Sequence, residues 1–200
     1  MKIIFIILGI LLIAFIILQL YAMNAQKNIE TYPYVVNKKY DGFEIRSYEA
    51  SLFTSVQLTG KKYKDVSSKG FSILAGYIFG GNDKNQKISM TSPVAMSLDD
   101  TVNMMFMVPK KFNKETLPTP NQSEIKFREE PAKTVAAISF GGWADDEKIA
   151  KYKEALISAL DAEGLVYTNK FYFLGYNSPF EAFNRKNEII VELEGDVVKK

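Results

Sequence analysis

The stretch KISMTSPVAM, residues 87–96, follows a glycine turn, Phe79-Gly80-Gly81-Asn82-Asp83, and leads into an apolar hairpin. Proline has no N–H to give to a sheet ladder, so Pro93 marks the start of a strand and not its middle. Ser89, Thr91 and Ser92 carry hydroxyls that bond nearby backbone, as turns and strand starts require. Two strands are expected next, over 94–98 and 102–108, joined through Asp99-Asp100. In the second, Met104, Met105, Phe106 and Met107 leave no polar face, so both faces of the strand should be covered.

Working outward, one order of elements occurs twice. Before the quoted stretch, residues 43–58 read as a long strand, with Leu52, Thr54, Val56 and Leu58 alternating against Phe53, Ser55 and Gln57. A helix over 63–79 follows, its apolar stripe formed by Val66, Gly70, Ile73, Leu74 and Tyr77. After the hairpin the order returns. Residues 125–140 are strand-like, interrupted at Pro131, and a helix over 145–163 carries Ile149, Tyr152, Leu156, Ala159 and Leu160 on one face. Its acidic start, Asp145-Asp146-Glu147, favours the positive end of the helix dipole, a simpler account than a cation site. Strands over 171–176 and 188–193 complete the copy. The fold class is therefore α+β: duplicated βαββ units forming a distorted antiparallel barrel or curved sheet with two main helices.

Residues 3–26 carry no charge and as a helix would span about 36 Å, against about 30 Å of bilayer hydrocarbon. Cleavage after Ala22 or Ala25 would place Leu20 or Met23 where a signal peptide needs a small residue. The segment reads as an uncleaved anchor over 1–23, with a signal peptide as the alternative. A tether over 24–39, the folded domain over 40–194 and a tail over 195–200 follow. With so short an N-terminal flank, ending at Lys2, and Lys27, Lys38 and Lys39 beyond the span, the domain is expected on the non-cytoplasmic side. Cleavage would make it secreted or periplasmic.

The chain of 200 residues has a formal charge of +2, so nothing points to nucleic acid. It contains neither histidine nor cysteine, which removes the usual general base, the usual zinc ligands and the commonest haem ligand together. No nucleophile elbow, phosphate loop or dinucleotide fingerprint is present, and a non-catalytic binding role is expected.

The glycine turn, the quoted stretch and the ending YNSPFEAFNRKNEIIVEL, residues 176–193, together resemble the SOUL haem-binding family over roughly 40–193. That resemblance implies the duplicated architecture and the binding of haem or a related tetrapyrrole. The implied site is a shallow apolar groove near the first helix of the domain and the loop over 177–186. Carried onto this sequence, the ligand-binding candidates are Lys69, Ile73 and Tyr77 on the helix and Phe180, Phe183 and Arg185 in the loop. No metal ligand is assigned, since iron could be reached only by tyrosine, methionine or lysine. Two other readings keep the fold. One is an effector-type module for small apolar or cationic molecules, which a buried acid in the cleft would favour. The other is a protein-interaction module anchored by Phe180 and Phe183.

Overall fold

The computed structural model describes residues 2–26, 29–60, 62–99, 101–178 and 181–195. Lys27, Asp100, Phe180 and the tail 196–200 lie outside the described residues.

Helix α1 (Lys2–Gln26) is apolar, long enough to cross a membrane, and almost wholly exposed over its first 18 described residues. The domain begins with β1 (Glu30–Thr31) and β2 (Tyr34–Lys39). Its first copy contains β3 (Glu44–Tyr48), β4 (Ser51–Leu58), α2 (Tyr63–Ile78), β5 (Thr91–Ser92), β6 (Val94–Ser97) and β7 (Val102–Met107). The second contains β8 (Ile125–Glu130), β9 (Lys133–Gly141), α3 (Asp146–Ala162), β10 (Tyr167–Gly175) and β11 (Lys186–Leu193). Nine strands form one curled antiparallel sheet in the order β2-β3-β9-β11-β10-β6-β7-β4-β8.

Two sequence expectations change in detail. The long strand over 43–58 is two strands, β3 and β4, separated at Glu49-Ala50; β8 and β9 are separated equivalently at Pro131-Ala132. The breaks let each copy lend its first strand to the other, so that β3 pairs with β9 and β8 with β4. The tether region also contributes structure. β2 pairs with β3 from Tyr34↔Tyr48 to Lys39↔Glu44, and β1 runs parallel to β5. The aromatic residues hold it there: the Tyr32 ring lies 4.4 Å from that of Tyr48 and 5.1 Å from that of Phe53.

The quoted stretch ties the copies together. Pro93 stands between β5 and β6 after a cis peptide bond. Thr91 Oγ1 donates to the Met107 carbonyl at 2.7 Å, and Ser92 Oγ to that of Tyr176 at 3.1 Å. In the glycine turn before it, a side chain at Gly81 would meet the Gly76 carbonyl oxygen at 2.7 Å, so the close approach of the turn to α2 requires glycine.

Side chains alternate between two cores. On the outer face Val56, Leu58, Met104, Phe106, Phe173 and Ile189 pack under α2 and α3. On the inner face Tyr48, Phe53, Met105, Met107, Tyr172 and Ile190 meet one another as the sheet curls. One end of the inner face is closed by a charged network. Glu188, fully buried, receives Arg46 Nη1 and Nη2 at 2.9 and 3.0 Å. It also receives Ser139 Oγ at 2.8 Å and Tyr176 Oη at 2.6 Å, with Lys186 Nζ at 3.0 Å. Burial pushes the Glu188 carboxyl up, but the hydrogen bonds and charge of Arg46, with Tyr176 and Lys186, outweigh it and hold the group below its ordinary range.

A folded value below the unfolded one makes this network stabilising above the unfolded glutamate pKa of about 4.3, with the contribution lost as pH falls through the folded value. Glu188→Ala, which leaves Arg46 buried and unpaired, should cost about 3–5 kcal/mol in urea unfolding at neutral pH. The loss should shrink on acidification, and Arg46→Met with Glu188→Leu should cost less than either single change.

Candidate functional site

Helices α2 and α3 both lie on the outer face, α2 over β4 and β7 and α3 over β9, β10 and β11. Strand β6 and the end of β10 beside it are left in the gap between them. The N-termini of the helices meet at one end of this gap. Asp145 accepts from Lys148 N at 2.8 Å and caps α3. Asp146 reaches across to α2, accepting from Tyr63 N at 2.6 Å and Lys64 N at 3.4 Å. Lys62 supplies no side-chain cap to its own helix, so the exposed donors of α2 are served by the other copy. The acidic cluster is thus a pair of helix starts.

The gap forms a cavity of about 360 Å³. Its floor is Val94, Met96, Met104, Phe173 and Gly175; one wall is Tyr63, Ser67, Ser68, Phe71 and Ser72 of α2; the far rim is Trp143, Asn177, Arg185 and Asn187. Tyr63 meets the Phe173 ring edge-on at 5.2 Å, and serines on the adjoining helical positions leave the space open. Local bonds build the rim. Asn187 Nδ2 holds the Gly142 carbonyl at 2.8 Å and Lys148 Nζ the Trp143 carbonyl at 3.1 Å. Asn177 Oδ1 accepts from Lys186 N at 2.6 Å, folding the loop back on the sheet.

Arg185 is the only charged residue among the described residues lining this cavity. Its guanidinium stacks on Trp143 at 3.8 Å, and Nη1 donates to the carbonyls of Ser178 and Glu181 at 3.0 and 2.6 Å. Its Nε is buried without a partner among the described residues. Burial pulls the guanidinium below its ordinary value, against Tyr63 and Glu181, which raise it. A guanidinium at the rim of an apolar cavity is suited to an anionic oxygen on a ligand. A second depression, of about 430 Å³ by β2 and β3, is lined by Lys39, Glu44, Arg46 and Lys186, whose charges are already in ion pairs.

Of the sequence candidates, Arg185 lines the cavity. Lys69 is exposed and Ile73 half-buried, and neither borders it. Tyr77 is in the core, donating its hydroxyl to the Pro118 carbonyl at 2.9 Å, and burial pushes its pKa up to about 12. Ile73 and Tyr77 belong to the apolar stripe of α2, which faces the sheet; the cavity is reached from the flanking positions Ser67, Phe71 and Ser72. Phe183 is exposed beside the cavity and not in its lining, and Phe180 lies outside the described residues. Trp143 escaped sequence reasoning. Its signal was that the sole tryptophan follows Gly141-Gly142 outside any apolar periodicity.

A duplicated βαββ sheet with two helices on its outer face and an apolar groove between them defines an α+β class of domain. The family model described as SOUL heme-binding protein matches residues 29–192, and the chain belongs to that family. It is 28% identical to "Heme-binding protein 1" of Bos taurus, covering 81% of this chain and 91% of the relative. It is 30% identical to "Heme-binding protein 2" of Mus musculus, covering 74% and 76%. In structure it is similar to the EcmrR C-terminal domain at 14% identity, with a TM-score of 0.61 over 77% of this chain and 98% of that one.

Because the Asp146 carboxylate is what serves the first turn of α2, Asp146→Ala should raise amide exchange at Tyr63 and Lys64 and cost about 1 kcal/mol of local stability. Unchanged protection there would show that water serves those donors equally well.

Proposed function

We propose that this chain is a membrane-tethered, non-catalytic binder of haem or a related tetrapyrrole, held in the groove between α2 and the rim of Trp143 and Arg185. The observation carrying the reading is Arg185, the one charged residue among the described residues lining a cavity walled by Tyr63, Phe71, Met96, Met104 and Phe173. The apolar walls suit the face of a flat ring, and the guanidinium suits a peripheral carboxylate. The names of the relatives support the same ligand class.

Haem, when bound, would supply only its iron chemistry; the residues of this chain bury the ring and orient its acid groups. Burial raises the Tyr63 pKa, against Arg185, so its phenol stays protonated at neutral pH and is a poor metal ligand. The other side-chain donors in the walls are the thioethers of Met96 and Met104 and the weakly coordinating hydroxyls of Ser67, Ser68 and Ser72. Binding therefore rests on ring burial. A ring burying about 300 Å² gains about 7 kcal/mol before association costs, so ring burial alone gives an affinity no tighter than the micromolar range. The effector reading is weaker for cationic ligands, since the cavity lining carries an arginine and no carboxylate among the described residues. Glu188, the fully buried acid, is on the opposite face and neutralised by Arg46.

Visible absorption titrations of the full chain in detergent, against empty detergent, test the groove. Haemin and metal-free protoporphyrin should bind one-to-one with similar affinity. Arg185→Ala should weaken both by about tenfold, as loss of one charge-assisted contact implies. Ser67→Trp should fill the cavity and abolish binding of both. Binding of haemin alone would instead indicate a thioether or phenolate bond to iron.

The anchor reading places α1 across a bilayer with the domain on the non-cytoplasmic side. Intact mass of the mature protein should retain Met1 or begin at Lys2. A chain beginning after Ala22 or Ala25 would show that the segment is a cleaved signal.

A further inference from the structure

α1 meets the loop that carries Arg185 through Phe15 and Gln19. The unbroken apolar run Ile3–Leu18 would rise about 24 Å as a helix, against about 30 Å of hydrocarbon, and Gln19 is the first polar side chain after it. Gln19 therefore falls at the boundary between hydrocarbon and headgroups. There its side-chain oxygen accepts from Ala182 N at 3.0 Å, and Gln19 itself is buried. One turn earlier, the Phe15 ring meets Phe183 edge-on at 6.5 Å. The loop is thus fastened at the level where the span ends, with Phe183 beside its last apolar turn.

Phe183 is 59% exposed and Trp143 54% exposed, although both are large apolar rings. They belong to one rim: Trp143 stacks on Arg185, whose guanidinium bonds to the carbonyls of Ser178 and Glu181. Tryptophan, phenylalanine and arginine together suit the bilayer interface, where a ring enters the acyl border while a charged head stays with the headgroups. Trp143, Asn177 and Arg185 also line the cavity.

We propose that Phe183 and Trp143 form a lipid-contacting rim that seats the groove mouth against the membrane surface, so that its ligand is taken up from the bilayer and not from water. This deepens the binding reading and rests on α1 being an uncleaved anchor. An amphiphilic ring with acid groups at one edge partitions to the same depth as such a rim, its apolar face in the acyl region and its acids among the headgroups. It then enters the groove with Arg185 at the depth of those acids.

The sole tryptophan makes the rim directly readable. The full chain is reconstituted into phosphatidylcholine vesicles, and flotation with the vesicles is scored separately from fluorescence. If the rim contacts lipid, Trp143 emission is quenched several-fold more by phosphatidylcholine brominated near the carboxyl end of the acyl chain than by lipid brominated near its methyl end. Phe183→Ser should float equally well and lose about half of that quenching, since it removes the neighbouring anchor. A chain that floats while Trp143 emission is the same in brominated and ordinary lipid overturns the rim and leaves the anchor standing. A chain that does not float removes the anchor, and the rim with it.

Discussion

The strand β7 has no wet side, and most of the architecture follows from that. Met104 and Phe106 point to one face and Met105 and Met107 to the other, and all four are buried. A strand of this kind must be covered twice. The helices cover the outer face. The inner face is covered by the sheet itself, which curls until strands from both ends bring Tyr48, Phe53 and Ile190 together. The curl leaves an end where the apolar lining stops, and the Arg46–Glu188 pair closes it, with the partners of the carboxylate drawn from β3, β9 and the end of β10. The helices in turn sit over the two outer portions of the sheet, so the groove at the centre is what the duplicated packing leaves uncovered.

Much of this was legible. The double covering of β7 could be read from four consecutive apolar residues, and both helices from their stripes, because a pattern of period 3.6 or 2 reports which face is buried. The strand breaks at Glu49-Ala50 and Pro131-Ala132 were only half visible, since proline marked one and nothing marked the other. β1 and β2 were hidden because a segment with three lysines and two asparagines within 27–39 reads as solvent-bound; only Tyr32 and Tyr34, by their packing, reveal it as structure.

The candidate site was less legible for a physical reason. Apolar periodicity finds the side of a helix that packs, whereas a groove is lined by what packing leaves open. On α2 that meant serines, which carry no hydrophobic signal, and near α3 a tryptophan held by Asn187 and Lys148 through backbone carbonyls. Arg185 was recoverable because its sequence neighbourhood is distinctive. Its place on the rim of the cavity, the feature that makes it more than a surface charge, is a property of three-dimensional placement alone.

The exchange of strands between copies has a further meaning. With β3 seated beside β9 and β8 beside β4, neither copy holds a complete set of its own strands, and the molecule is in effect a swapped dimer written on one chain. A homodimer of a single copy would be bound to present the same residue at both symmetric positions. Fusion lifts that constraint. Asp146 caps the helix of the other copy, while Tyr63 holds the matching first position of α2 and returns nothing to α3. The groove between the helices is accordingly lopsided, serine-lined from one copy and arginine-rimmed from the other, where a symmetric cleft would have presented the same residues twice.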